Sequence, residues 1–186
     1  MFWVSLPPLT DPAALRPFEG TIMWQRCEGY CLLLPIVLLL LVSPAAVSQT
    51  LFGKVTRVVD GDTVVFKVHK GKTERIRLAD IDTPEKDQPW GSEATTALRK
   101  WSLSKPARLE VVDTDRYGRL VATLWVKDVN INRELVREGH AWVYRKYLRD
   151  TSLIKLEARA KLIKSGLWSA SSAIKPSDWR RGKRSS

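Results

Sequence analysis

The chain has 186 residues, 44% of them hydrophobic and 27% charged, which fits one packed domain with extensions and excludes wholesale disorder. Lys and Arg number 31 against 20 Asp and Glu, a net charge of +11; that balance favours nucleic acid or an anionic membrane surface as partner, with plain solubility as the alternative. The two cysteines, Cys27 and Cys31, both lie near the N-terminus, so the remainder has no disulfide, thiol nucleophile or zinc–thiolate site.

Residues 1–48 read as an address rather than a fold. Cys31 to Val42 is a nearly unbroken apolar run with Arg26 upstream and Ser43-Pro44-Ala45-Ala46-Val47-Ser48 downstream. This is the pattern of a secretory signal, with Ala46 and Ser48 as the small residues before a cut at Gln49. The run is shorter than the ~20 apolar residues of a membrane span, and Pro35 and Pro44 interrupt it. The expected destination is therefore secreted or periplasmic. An uncleaved anchor over residues 31–47 is the alternative, and would be the chain's only membrane contact. Pro7, Pro8, Pro12 and Pro17 make an awkward leader before a signal, so synthesis is expected to begin at Met23. Without Arg16, Arg26, Asp11, Glu19 and Glu28 the rest carries +12, so the basic character belongs to the working domain, expected over residues 49–170. Residues 171–186 are expected as a frayed basic tail.

From Leu51 the pattern changes to short strands. Phe52, Val55, Val58 and Val59 lead into a turn at Asp60-Gly61-Asp62, and Val64, Phe66 and Val68 then alternate with Val65, Lys67 and His69, the period of a half-buried strand. Lys70-Gly71-Lys72 is a hairpin turn, and Arg75 to Ile81 returns as a third strand. Ser92 is expected to cap a helix from Glu93 to about Leu103, with Ala94, Ala97, Leu98 and Trp101 on one face. Two strands follow, Ala107–Val112 and Leu120–Val126. Helices are expected at about Ile131 to Glu138, stopping at Gly139, and at about Ser152 to Ser165, stopping at Gly166. Five strands and about three helices predict an α+β fold with a small closed barrel. His69 and His140 are too few and too far apart for a metal cluster, and each reads as a satisfied or exposed histidine.

Four stretches carry chemistry. Asp60-Gly61-Asp62-Thr63 is on its own an ordinary turn. Arg77-Leu78-Ala79-Asp80-Ile81-Asp82-Thr83-Pro84-Glu85 ends a strand, but a strand end does not explain three carboxylates beside an arginine. Asp115-Arg116-Tyr117-Gly118-Arg119 is a Gly turn with two arginines. In Trp142-Val143-Tyr144-Arg145-Lys146-Tyr147 aromatics interleave with positive charge, which suits a core strand or base stacking beside phosphate contacts. Together they supply what phosphodiester hydrolysis needs: hard oxygen ligands for a cation such as calcium, a free carboxylate as general base, and arginines for charge on the phosphoryl oxygens. No zinc ligand set and no Gly-rich nucleotide loop is present.

The ordered set Val58-Val59-Asp60-Gly61-Asp62-Thr63, Arg77-Leu78-x-x-Ile81-Asp82-Thr83-Pro84-Glu85, Asp115-Arg116-Tyr117-Gly118-Arg119 and Gly166-Leu167-Trp168 resembles the staphylococcal nuclease (thermonuclease) family over about residues 53–169. The resemblance implies an OB-type five-stranded β-barrel and a calcium-dependent endonuclease acting on DNA and RNA, leaving 3′-phosphate ends. It implies Asp62, Asp82 and the Thr83 carbonyl as Ca2+ ligands, Glu85 as general base, and Arg77 and Arg119 as the pair that grips the phosphate. It also implies substrate contacts from Arg116, Tyr117 and Tyr147; no stable protein partner is implied. The competing readings are a barrel that binds nucleic acid without cutting it and a basic envelope-adhesion protein. Degenerate members of the family lose these acidic and arginine positions; their presence here favours an enzyme. Two features need a structural answer. Strict alternation puts Arg77 and Asp82 on opposite faces, so a bulge or strand end must intervene. Asp80 stands where the family suggests an apolar or small residue, either as a solvated side chain or as a charge near the metal.

Overall fold

The computed structural model describes residues 49–184; the leader, the candidate signal and the question of Met1 or Met23 lie outside them. Strands β1 (Gln49–Val58), β2 (Thr63–Val68) and β3 (Thr73–Leu78) form an antiparallel meander. After a two-residue strand, β4 (Ile81–Asp82), and a helix, α1 (Gly91–Ser102), strand β5 (Pro106–Thr114) pairs with the free side of β1. It also pairs with β6 (Leu120–Val126), which returns to β3 in parallel with Arg77 opposite Val121. The order β3-β2-β1-β5-β6 is thereby closed into a five-stranded barrel, and closure leaves these strands without an open edge.

Alternation decides the interior. In β2, Val64 and Phe66 are fully buried while Lys67, and His69 just past the strand end, are exposed. Val55, Ile76, Leu78, Leu109 and Leu124 join them in one apolar cluster that reaches Leu98 of α1. Strand β7 (Val129–Asn130) leads into α2 (Ile131–Arg137), where the Asn130 side chain accepts the Arg133 N–H as N-cap. Strand β8 (Trp142–Val143) pairs antiparallel with β4, and α3 (Leu153–Leu162) follows. These three helices are the ones anticipated, with α2 and α3 shorter at their ends and α1 shifted toward the N-terminus. α1 starts one residue before Ser92, behind a left-handed Trp90 (φ 75°), because the Gly91 N–H is already taken by the Gln88 carbonyl. Ser92 caps nothing; its hydroxyl donates to Glu93 at 2.8 Å. α3 stops at Leu162, and a 3-10 turn, Gly166–Ser169, takes the chain onward. The expected frayed tail instead contains α4 (Pro176–Arg180), with Pro176 buried at its first turn, where a missing N–H costs nothing.

The conflict between Arg77 and Asp82 is resolved by a break in the third strand. β3 ends at Leu78, Ala79–Asp80 turn with Asp80 at φ 65°, and the chain resumes as β4 in a second, two-stranded sheet with β8. Buried side chains fix that corner. Asn132 of α2 donates to the carbonyls of Ala79 (2.9 Å) and Ala122 (3.3 Å) and accepts the Leu124 N–H at 3.0 Å. Glu157 of α3 accepts the Val143 N–H at 2.8 Å, holding β8 and through it β4, and its other oxygen pairs with Arg145 and Lys161. Asp80 accepts the N–H groups of Arg149 (2.8 Å) and Asp150 (3.3 Å), so its carboxylate ties down a loop. Asn132→Ala leaves the buried Leu124 N–H and Ala79 carbonyl without these partners and should cost about 2–4 kcal/mol, read by urea denaturation. A loss below about 0.5 kcal/mol, the range of an ordinary surface change, would contradict the pegging role.

Candidate active site

Gly61 shapes the first turn of the site by the space it leaves. A Cβ there would lie 2.6 Å from Thr83 Oγ1 and 2.8 Å from Thr83 Cβ, so only glycine lets the Asp60–Asp62 turn lie against Thr83. Across that contact Asp62 Oδ2 accepts both the N–H and the hydroxyl of Thr83, each at 3.1 Å, and Asp62 Oδ1 accepts the Thr63 hydroxyl at 3.1 Å. Arg77, at the end of β3, spans the gap to β4. Its Nη1 is 2.5 Å from Asp62 Oδ2, a charge contact rather than an aligned hydrogen bond, and its Nη2 donates to Asp82 Oδ1 at 3.1 Å. Asp62 is 7% exposed and Asp82 4%, so both carboxylates depend on this guanidinium for charge balance.

Glu85 lies beyond Pro84 at the rim. Its backbone is held by Gln88, whose Oε1 accepts the Glu85 N–H at 3.1 Å. Arg180, from α4, was not foreseen at the site: its Nη2 donates to Asp82 Oδ2 at 3.0 Å, and its Nη1 lies 3.4 Å from Asp82 Oδ1 and pairs closely with Glu85 Oε1. Burial pushes the Asp82 carboxyl above its ordinary range, against the opposing pull of Arg180 and Arg77. Asp60, also raised by burial and then by the charge of Asp62, adds to the negative field and fixes the turn by accepting the Asp62 N–H at 3.1 Å.

On the other side of Arg77, the β5–β6 loop supplies Arg119. Asp115 accepts the N–H groups of Tyr117 (2.9 Å) and Arg119 (3.0 Å) and the Arg119 side chain at 2.7 Å. Partial burial would raise the Asp115 carboxyl, but these bonds outweigh it and hold it low. So anchored, Arg119 reaches to 3.4 Å from the Thr63 hydroxyl beside Asp62. Arg77, Asp115, Arg116, Tyr117, Arg119 and Tyr147 all line one cleft of about 480 Å³. Tyr117 and Tyr147 are 68% and 55% exposed. The aromatic run near Trp142 divides: Trp142 packs edge-on against Trp168, with centroids 4.3 Å apart, while Tyr144 and Tyr147 face the cleft. His140 accepts the Trp90 indole N–H at 3.1 Å and His69 is exposed, so neither is a ligand of this site.

The donors suit a hard cation. Asp62 and Asp82 converge on the two ends of one guanidinium, and Thr83 stands next to Asp82 in the chain and against Asp62 in space. No three His, Cys, Asp or Glu side chains form a closed metal cage among the described residues. An ion here would be held by two carboxylates and a carbonyl, with water and phosphate oxygens completing the six to eight that calcium takes. The arrangement offers two carboxylates that could hold a cation, a rim carboxylate, and two arginines lining the cleft, equipment that would suit phosphate-ester hydrolysis. Arg180, Gln88, Asn132 and Glu157 had no local sequence signal for these roles; each acts through a partner distant in the chain or a turn only the fold creates.

Residues 75–170 match the family model described as "Staphylococcal nuclease homologue". "Protein ParB" of Escherichia coli is 38% identical over 157 residues, covering 78% of this chain and 87% of the relative. A Haemophilus influenzae protein named "Uncharacterized endonuclease" is 36% identical over 128 residues, covering 69% and 72%. The "Micrococcal nuclease" of Shigella flexneri is 36% identical over 140 residues, covering 69% and 80%. With the closed barrel and the Asp62–Arg77–Asp82 centre already in place, these matches settle the family: the chain belongs to the staphylococcal nuclease homologues and is a nuclease.

Proposed function

We propose that this nuclease is a calcium-dependent endonuclease that hydrolyses the phosphodiester bonds of DNA and RNA and leaves 3′-phosphate ends. The reading rests on one arrangement: the buried Asp62 and Asp82 carboxylates bridged by Arg77, with Glu85 on one side and Arg119 on the other. Ca2+ held by Asp62, Asp82 and the Thr83 carbonyl would polarise the phosphate and orient water. Glu85 removes a proton from the attacking water, the new P–O bond forms, and the P–O5′ bond breaks. The O5′ oxygen leaves and takes up a proton, and the phosphate stays on the 3′ oxygen. Arg77 and Arg119 carry fixed positive charge to the phosphoryl oxygens as negative charge builds on them. Arg116, Tyr117 and Tyr147 hold the nucleotide flanks; their exposure and the +12 charge outside residues 1–48 support substrate capture from solution.

The same proposal includes export. The apolar run Cys31–Val42 and the small residues up to Ser48 support a signal removed before the domain of residues 49–170. The mass of the intact precursor and of the mature chain reads both the Met23 start and the cut before Gln49.

Glu85→Gln tests the chemistry. It removes the base, keeps the size, and leaves Arg77 and Arg119 in place, so turnover should fall by about 10²–10⁴-fold while DNA affinity persists. Cutting at the wild-type rate would end the base assignment. Asp62→Asn should instead weaken calcium binding, so part of its activity returns at high calcium. A deficit that no calcium concentration relieves would remove Asp62 from the ligand set.

A further inference from the structure

The Arg180 guanidinium lies against Asp82, one of the two carboxylates that would hold a metal ion. Asp82 Oδ1 already accepts from Arg77, and both Asp82 oxygens also face the Arg180 guanidinium, Oδ2 at 3.0 Å and Oδ1 at 3.4 Å. The same guanidinium pairs with Glu85 Oε1. A divalent cation at Asp82 and a guanidinium facing both of its oxygens compete for the same lone pairs and repel each other as like charges. The two arginines at this carboxylate are not equivalent. The Arg77 side chain is 14% exposed and is locked between two buried aspartates. The Arg180 side chain is 45% exposed and ends a five-residue helix. Few contacts hold that helix: Pro176 is buried, the Trp179 indole donates to Asp87 at 3.2 Å, and upstream Gln88 donates to the Ile174 carbonyl at 2.7 Å. Arg180 is therefore the arginine that can leave for solvent.

Resting on the calcium-dependent reading above, we propose that Arg180 is a tethered counter-ion that fills the metal side of Asp82 and caps Glu85, so that a divalent cation binds only as this arginine withdraws. Withdrawal opens the ligand and frees the base in one step, because one guanidinium blocks both. The coupling is reciprocal: calcium disfavours the docked arginine as much as the docked arginine disfavours calcium. Without metal, Arg180 offsets the charge of the buried Asp82 and keeps the corner folded. With metal, its free guanidinium stands beside the cleft.

The test is calcium titration of the full chain by calorimetry, with thermal unfolding in chelator and in calcium. Arg180→Ala should bind calcium about tenfold more tightly, because the binding-competent state is no longer a minor fraction. It should also melt below wild type in chelator and gain more from calcium than wild type does. Arg181→Ala removes the same charge from a residue that pairs with Asp178 in the same short helix, and should change calcium affinity by less than about twofold. Arg180→Lys, which keeps the charge but not the fork, should fall between the two and serves if the alanine variant does not fold. Unchanged or weaker calcium binding in Arg180→Ala, or an equal gain in Arg181→Ala, overturns the competition while leaving the calcium reading intact. A wild-type chain that binds no calcium, with Arg180→Ala equally silent, overturns the calcium reading and the competition together.

Discussion

Two aspartates held in the protein interior with one guanidinium between them set the terms for everything around them. A buried carboxylate without a counter-charge costs several kcal/mol, and two close together cost more. Asp62 and Asp82 come from different parts of the chain, so Arg77 must reach both from a third place, the end of β3. That demand explains why a continuous strand from Arg75 to Ile81 is impossible. The break at Ala79–Asp80 turns β4 out of the barrel and into the small sheet with β8, placing Asp82 beside the arginine five residues earlier. The pieces that look incidental serve that break. Asn132 satisfies its carbonyl, Asp80 ties it to the loop before α3, and Glu157 anchors the partner strand.

The site also has a direction. Its carboxylate side is buried and acidic, made from the turn before β2, from β4 and from the residues just beyond. Its cleft side is exposed, aromatic and basic, made from the β5–β6 loop and the turn after β8. Arg77 belongs to both, touching the carboxylates while forming part of the cleft wall. Arg119 is brought to the same boundary by Asp115, which gathers two backbone N–H groups and the arginine itself. A phosphate at that boundary would meet fixed positive charge on one flank and the carboxylates on the other. Preorganised charge of this kind costs no reorganisation as the transition state forms.

Much of this is legible in the sequence because it is local. The alternation of Val64 and Phe66 with Lys67 marks β2, and the apolar face of Ala94, Ala97 and Leu98 marks α1. The carboxylates and arginines of residues 60–63, 77–85 and 115–119 cluster along the chain, and that clustering alone points to the site. The failures are non-local. Ser92 has the chemistry of a cap, but the turn from Glu85 to Gly91 has already started the helix. β4 and β8 are two residues each, too short for any period to register. Glu157 sits in a helix whose other charges are solvated, and only its contact with Val143 explains its burial. Arg180 lies in a run of basic residues that reads as a frayed tail, yet its partners are 95 and 98 positions away. Residues whose meaning depends on a partner across the chain leave no trace in their neighbours.

On the proposed function, the Asp62–Arg77–Asp82 centre turns this barrel into a phosphodiesterase when a hard cation joins it. The direct measurement is cleavage of plasmid DNA by the purified full chain, followed over time in calcium, in excess chelator, and in chelator with calcium restored. The expected result is nicking and fragmentation with calcium, intact plasmid in chelator, and recovery on restoration. Full cleavage in excess chelator would contradict the claim, because the buried carboxylates would then have no cation to hold and no part in the reaction.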